Sequence, residues 1–180
     1  MAAIDQVTTA EQLFKANLQH CELIRGELVA RSPAWFERGR IAGTIGAVLM
    51  EFAKPQGLGV SVSAGAGFHI AHAPDTVRVP DVAFVRTDRI PPGGVTGFFQ
   101  GPPDFAVEVL LPDDRTEEIV AKVRDWLQAG CLMVWVVDPE TRTISIYRSR
   151  SEIAVLSEVD TLTGGDVLPG FAVPVAEIFA

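Results

Sequence analysis

Pro103-Asp104-Phe105-Ala106-Val107-Glu108-Val109-Leu110-Leu111 is an apolar run from Phe105 onward with a single carboxylate at its centre. Its short length and its β-branched and aromatic content predict a buried strand. Alternation along a strand puts Phe105, Val107 and Val109 on one face and Ala106, Glu108 and Leu110 on the other, so Glu108 faces an apolar layer. A lone charge in such a layer costs on the order of several kcal/mol. Glu108 therefore needs a partner, and the sequence offers two. One is Lys122. The other is a metal ion shared with Asp81, which opens a second apolar run, Pro80-Asp81-Val82-Ala83-Phe84-Val85.

Downstream of this strand, residues 117–129 carry helical periodicity. At about 100° per residue, Ile119, Val120, Val123, Trp126 and Leu127 form the buried arc. Lys122 falls at its edge, where its stem packs and its ammonium reaches inward. A strand at 133–137 follows, and the series 105–111, 117–129, 133–137 has the spacing of a βαβ unit with a right-handed crossover. Asp113 and Asp114 read as caps of the helix, Asp114 with Glu117 at capping-box spacing.

Upstream, Thr8 and Glu11 have capping-box spacing ahead of a short amphipathic helix, and a hairpin turns at Gly26 between 21–25 and 27–31. A long helix is predicted over 34–53, then short strands at 60–63, 67–71, 77–79 and 82–85. A loop rich in Gly and Pro covers 90–102. Strands at 143–147 and 153–156, a turn at 167–170 and a short tail at 176–179 complete the chain. The expectation is one continuous domain over 1–180 of the α/β (α+β) class, a mixed central sheet flanked by helices.

At 180 residues and 48% hydrophobic, the chain can bury one full core. Its net charge of −8 and pI near 4.8 set up a field that repels polyanions, which weighs against tight nonspecific binding to nucleic acid. Arg25, Arg31, Arg38 and Arg40 offer either a local basic patch or an ordinary solvated face. Cys21 and Cys131 lie far apart, outside any metal-ligand spacing, and read as small buried side chains of a reducing compartment, with neither a disulfide nor a zinc site expected. With no long apolar run and no signal-peptide character at the start, the expected location is the cytoplasm.

Two carboxylates brought together are the minimal oxygen set for Mg²⁺ or Mn²⁺, with water completing the octahedron. Beside them a lysine can orient water or balance charge growing at phosphorus, so Asp81, Glu108 and Lys122 fit metal-assisted phosphodiester hydrolysis. His69 and His72, with Asp75 nearby, sit at a spacing that sends strand side chains to different faces, and they are not read as a metal cluster.

Pro80-Asp81-Val82-Ala83-Phe84-Val85, then Gly101-Pro102-Pro103-Asp104-Phe105-Ala106-Val107-Glu108-Val109-Leu110, then Lys122, then Val134-Trp135-Val136-Val137-Asp138-Pro139 resemble the Uma-two family of restriction-endonuclease-like proteins. Cys21-Glu22-Leu23-Ile24-Arg25-Gly26-Glu27-Leu28-Val29 and Leu168-Pro169-Gly170-Phe171 are similar to its ends. The resemblance implies a PD-(D/E)xK nuclease fold with Asp81 and Glu108 as metal ligands. Leu110 stands where the superfamily's lysine usually sits, and the role passes to Lys122. The resemblance also allows Glu27 as a third acid, against the plain reading of a polar residue beside a turn. Two departures stand out: Leu111 replaces a common serine, and Glu37-Arg38-Gly39-Arg40 occupies the place of a histidine. The implied activity is a Mg²⁺-dependent (or Mn²⁺-dependent) endonuclease acting on DNA as a homodimer, since two sites are needed to cut both strands. The alternatives are a nuclease fold kept as a binding or assembly module, and a structural domain in which Glu108 and Lys122 form only a buried ion pair.

Overall fold

The computed structural model describes residues 7–18, 20–31, 35–63 and 65–180. In chain order its elements are α1 (Ala10–Ala16), β1 (Cys21–Ile24), β2 (Glu27–Ala30), α2 (Phe36–Ala53), β3 (Gly59–Ser63), β4 (Phe68–Ala71), β5 (Thr76–Arg78), β6 (Val82–Arg86), β7 (Phe99–Gln100), β8 (Phe105–Val109), α3 (Thr116–Ala129), β9 (Met133–Asp138), β10 (Thr143–Tyr147), β11 (Ile153–Leu156), β12 (Thr161–Gly164), β13 (Leu168–Pro174) and α4 (Val175–Phe179).

The apolar runs at 82–86, 105–109 and 133–138 pair in the centre of a six-stranded sheet of order β11-β10-β9-β8-β6-β3. β8 and β9 are parallel, as the intervening helix requires, and the other neighbours are antiparallel. The expected mixed sheet is therefore present. On one face, Val82, Phe84, Phe105, Val107, Trp135 and Val137 pack against Ile41, Ile45 and Leu49 of α2, with α4 and the β12–β13 hairpin closing the layer. On the other face, Ala83, Ala106, Val134 and Val136 meet Val123 and Trp126 of α3 and Phe68 of β4. A second sheet, β2-β1-β5-β4-β7, carries α1 on its outer side, where Leu13 packs with Leu23 and Val77.

Local chemistry explains where boundaries depart from expectation. The first helix is capped by Thr9 with Gln12 as its reciprocal partner, one residue beyond the expected Thr8 and Glu11. Asp114 does not cap α3. Its carboxylate accepts from the Leu111 amide at 2.8 Å to form a tight turn, and Arg115 stands at the N-cap without a side-chain bond. The turn expected at 167–170 falls at 165–167 instead, residues 168–170 enter β13, and the tail closes as α4. The expected loop gains the short strand β7, while residues 91–97 are exposed throughout. Ser32, Pro33 and Ala34, at the expected start of the long helix, lie outside the described residues, and α2 begins at Phe36. Cys131 is buried, and that burial pushes its thiol up to about 12, so it stays protonated. No helix among the described residues is long and apolar enough to cross a membrane.

Candidate active site

Strand register decides where the two acids stand. Val82 pairs with Val107 across the antiparallel β6–β8 junction, and the Asp81 amide donates to the Val107 carbonyl at 3.0 Å. Continuing the register by one residue sets Asp81 opposite Glu108, on the α3 face with Ala83 and Ala106. The Asp81 carboxylate also accepts from the Val109 amide at 2.8 Å, so the side chain takes a place in the sheet's hydrogen-bonding edge.

Glu108 is 2% exposed, and both of its oxygens are engaged. Oε2 lies 3.2 Å from the Lys122 ammonium, and Oε1 accepts from the Trp126 indole at 3.0 Å. Both partners come from α3, at positions four residues apart on one helix face. Burial pushes the Glu108 carboxyl above the usual carboxylate range; Lys122 pulls it back, and the charges of Asp81 and Glu22 push it further up. Burial alone would lower Lys122, but Glu108 and Glu22 outweigh it, and the ammonium is held above the ordinary lysine range. Asp81, Glu108 and Lys122, separated in sequence, thus meet at one place.

Glu27 does not join them. It is exposed at the turn end of the β1–β2 hairpin, opposite Ile24. The third acid is Glu22, 2% exposed, which accepts from the Val79 amide at 2.9 Å and from Arg78 at 2.7 Å. Arg78 also bonds Asp125 of α3 at 2.6 Å. Burial works against ionising Glu22, but Lys122 and Arg78 prevail and its carboxyl is held below its usual range. The sequence carried a signal for Glu22: a carboxylate flanked by Cys21 and Leu23 in an apolar strand poses the same pairing problem as Glu108.

The arginines divide likewise. Arg38, 7% exposed, places Nε 2.8 Å from Asp81, and Arg31 lies 3.5 Å from the same oxygen. Arg40 instead pairs with Glu37 and with the carbonyls of Phe179 and Ala180. Arg25 is exposed at the hairpin turn. The four residues therefore do not form one cationic patch. A cavity of about 420 Å³ opens beside Asp81, Arg31 and Arg38, walled by Leu13, Phe14 and Ala42.

Carboxylate oxygens from Asp81 and Glu108, with Glu22 near, are the donor type a hard divalent cation takes; burial first, and the charges of Asp81 and Glu22 after it, hold the Glu108 carboxyl above its usual range. Each oxygen now faces an arginine, a lysine or an N–H, and the three acids do not close to within 4.8 Å of one another. Among the described residues, the group that does is His69, His72 and Asp75. The face-alternation argument fails there because the β4–β5 register shifts between His69 and Ala71, and Ala73, at φ 49°, turns the chain back on itself.

The chain matches the model of the Uma2 family, described as "Putative restriction endonuclease", over residues 7–176. Its structure is similar to a crystal structure titled as a putative nuclease belonging to DUF820 from Anabaena variabilis. The TM-score is 0.82 at 21% identity, covering 95% of this chain and 97% of that one, which establishes a shared fold. None of the curated proteins matches the chain.

Proposed function

The chain belongs to the Uma2 family of restriction-endonuclease-like proteins, and from that membership and its acid cluster we propose that it is a Mg²⁺-dependent (or Mn²⁺-dependent) endonuclease hydrolysing phosphodiester bonds in DNA. The observation that carries the reading is the register-opposed pair Asp81 and Glu108 with the Lys122 ammonium 3.2 Å from Glu108. In this reading Asp81 and Glu108 hold the cation, and Glu22 stands behind them as a further acid. The bound cation would polarise the phosphate and acidify a water. Lys122, kept charged by Glu108 and Glu22, counters negative charge as it builds on phosphorus. Arg31 and Arg38 line the cavity with guanidinium groups, whose forked donors suit phosphate oxygens. Two copies acting together would cut both strands of a duplex.

The test is nicking of supercoiled DNA by purified protein with Mg²⁺ or Mn²⁺. Glu108→Gln and Asp81→Asn are expected to lower the rate by at least about 100-fold while circular dichroism stays unchanged. Absence of cleavage across varied DNA and RNA substrates and both metals overturns the proposal.

A second reading is favoured by Arg38, whose Nε sits 2.8 Å from Asp81 and already neutralises it. The fold then serves as a binding or assembly module that associates with a partner without metal. Calorimetry separates the two: heat of Mg²⁺ binding lost in Glu108→Gln supports the nuclease, and its absence in the wild-type protein supports the module.

A further inference from the structure

His69 is 7% exposed, and its Nε2 makes no well-aligned hydrogen bond, an uncommon state for a buried polar atom. That nitrogen lies 3.3 Å from Asp75 Oδ1. The His72 ring stands beside it, centroids 4.0 Å apart and planes inclined at 58°. One ligand atom from each of the three residues falls within 4.8 Å of the other two. Ligands held at about 2.05 Å around a tetrahedral ion are roughly 3.3 Å apart. The His69–Asp75 separation therefore already has the length of a coordination edge, and His72 needs an adjustment of about 1.5 Å at most to complete a face.

We propose that His69, His72 and Asp75 bind a divalent transition-metal ion, with Zn²⁺ the best match, in a site whose fourth position is open to water. Two imidazoles and one carboxylate select Zn²⁺ and its first-row neighbours over Mg²⁺, which takes oxygen ligands. The second oxygen of Asp75 accepts from the Ala10 amide at 2.8 Å, an outer contact that orients the carboxylate. That contact, ahead of the weaker influence of His69, keeps the Asp75 carboxyl below its usual range. Access comes from both sides. A cavity of about 380 Å³ reaches His69 and Asp75, another of about 290 Å³ reaches His72, and His72 itself is exposed.

The site is separate from the acid cluster. His69 pairs with Val77, which packs under α1 with Leu23, whereas Glu22 and Arg78 are the adjacent residues on β1 and β5 and face the other way, toward Asp125 of α3. Because Ala10 begins α1, and Leu13 and Phe14 of α1 wall the cavity beside Asp81, a bound ion would fasten the β4–β5 turn to one wall of that cleft.

The experiment is calorimetric titration of the untagged full chain with Zn²⁺ in a large excess of Mg²⁺, which fills the proposed carboxylate site at Asp81 and Glu108 and leaves the histidine site to Zn²⁺. One equivalent is expected to bind. His72→Ala and Asp75→Asn should each weaken binding by more than the roughly 10–100-fold that loss of an outer partner costs. His72 is exposed, so its variant is the one that tests the ligand without disturbing the core. Co²⁺ should give the intense visible bands of a four-coordinate ion in the wild-type protein and lose them in His72→Ala. Glu108→Gln should bind Zn²⁺ as the wild type does. Failure of the wild type to take up Zn²⁺, uptake indifferent to His72→Ala and Asp75→Asn, or uptake abolished by Glu108→Gln each overturns the assignment; the first two leave the cleavage proposal untouched, and the third moves the ion to the acid cluster.

Discussion

Glu108 and Lys122 are mutually dependent side chains, and the energetic weight lies in separating them. Removing one partner of a buried pair leaves the other uncompensated, at a cost of about 3–5 kcal/mol. Lys122→Met is expected to lose stability of that order at neutral pH in urea denaturation, with Trp126 left as the donor to Glu108. The sign of the pH dependence follows from the raised Glu108 carboxyl: the penalty belongs to the ionised form, so it is largest above the folded-state pKa and shrinks as pH falls through that value toward the ordinary carboxylate range. The difference between variant and wild type should therefore narrow on acidification; a constant difference would show that Glu108 does not carry the cost. Asp81, Glu108 and Lys122 were legible because a single charge in an apolar run poses a pairing problem visible without coordinates. Glu22 and Arg78 posed it too, but in strands of four and three residues, where alternation is too brief to mark which face is buried. The histidine group was illegible for a different reason, since a bulge changes which side chains share a face without changing the spacing along the chain.

At the level of elements, periodicity located most of the strands, and β10 and β11 fall on the expected residues. Helix starts were harder, because Asp114 can satisfy either a helix end or its own turn, and only the three-dimensional path from Leu111 selects the turn. Close approach between strands was invisible as well. Gly59 pairs with Arg86 at the start of β3, and a Cβ there would lie 2.4 Å from the Val85 carbonyl and 2.6 Å from the Phe84 ring. Backbone cannot yield as a flexible side chain does. Gly59→Ala is expected to cost about 1–3 kcal/mol by overpacking, seen as a lower urea midpoint with unchanged m-value. An equal or higher midpoint would mean that β3 and β6 can part without loss.

Across the whole molecule, labour is split between the two faces of the main sheet. The α2 face is apolar apart from Arg38 in the first turn of that helix, while Glu22, Asp81, Glu108 and Asp125 gather against Arg31, Arg78 and Lys122 as well as Arg38. Four carboxylates thus meet four cations, which leaves the net charge of −8 to the rest of the molecule. The mixed sheet was legible as a class; the second sheet folding over α3 was not, since nothing in its short strands states which of their neighbours are distant in sequence. The exposed stretch 91–97 lies between β6 and β7, whose flanking chain stays tied on both sides, β6 by pairing with β8 and β7 by pairing with β4. A protease should therefore cut there first and sever covalent continuity without releasing either piece. Asp81–Arg38 lies wholly in the first fragment and Glu108–Lys122 wholly in the second, while the pairs Arg78–Asp125 and Arg89–Asp104 cross the cut and help to hold the two pieces together. Limited digestion should give two bands on a denaturing gel and a single peak of unchanged elution volume on a sizing column, a noncovalent heterodimer made from one polypeptide.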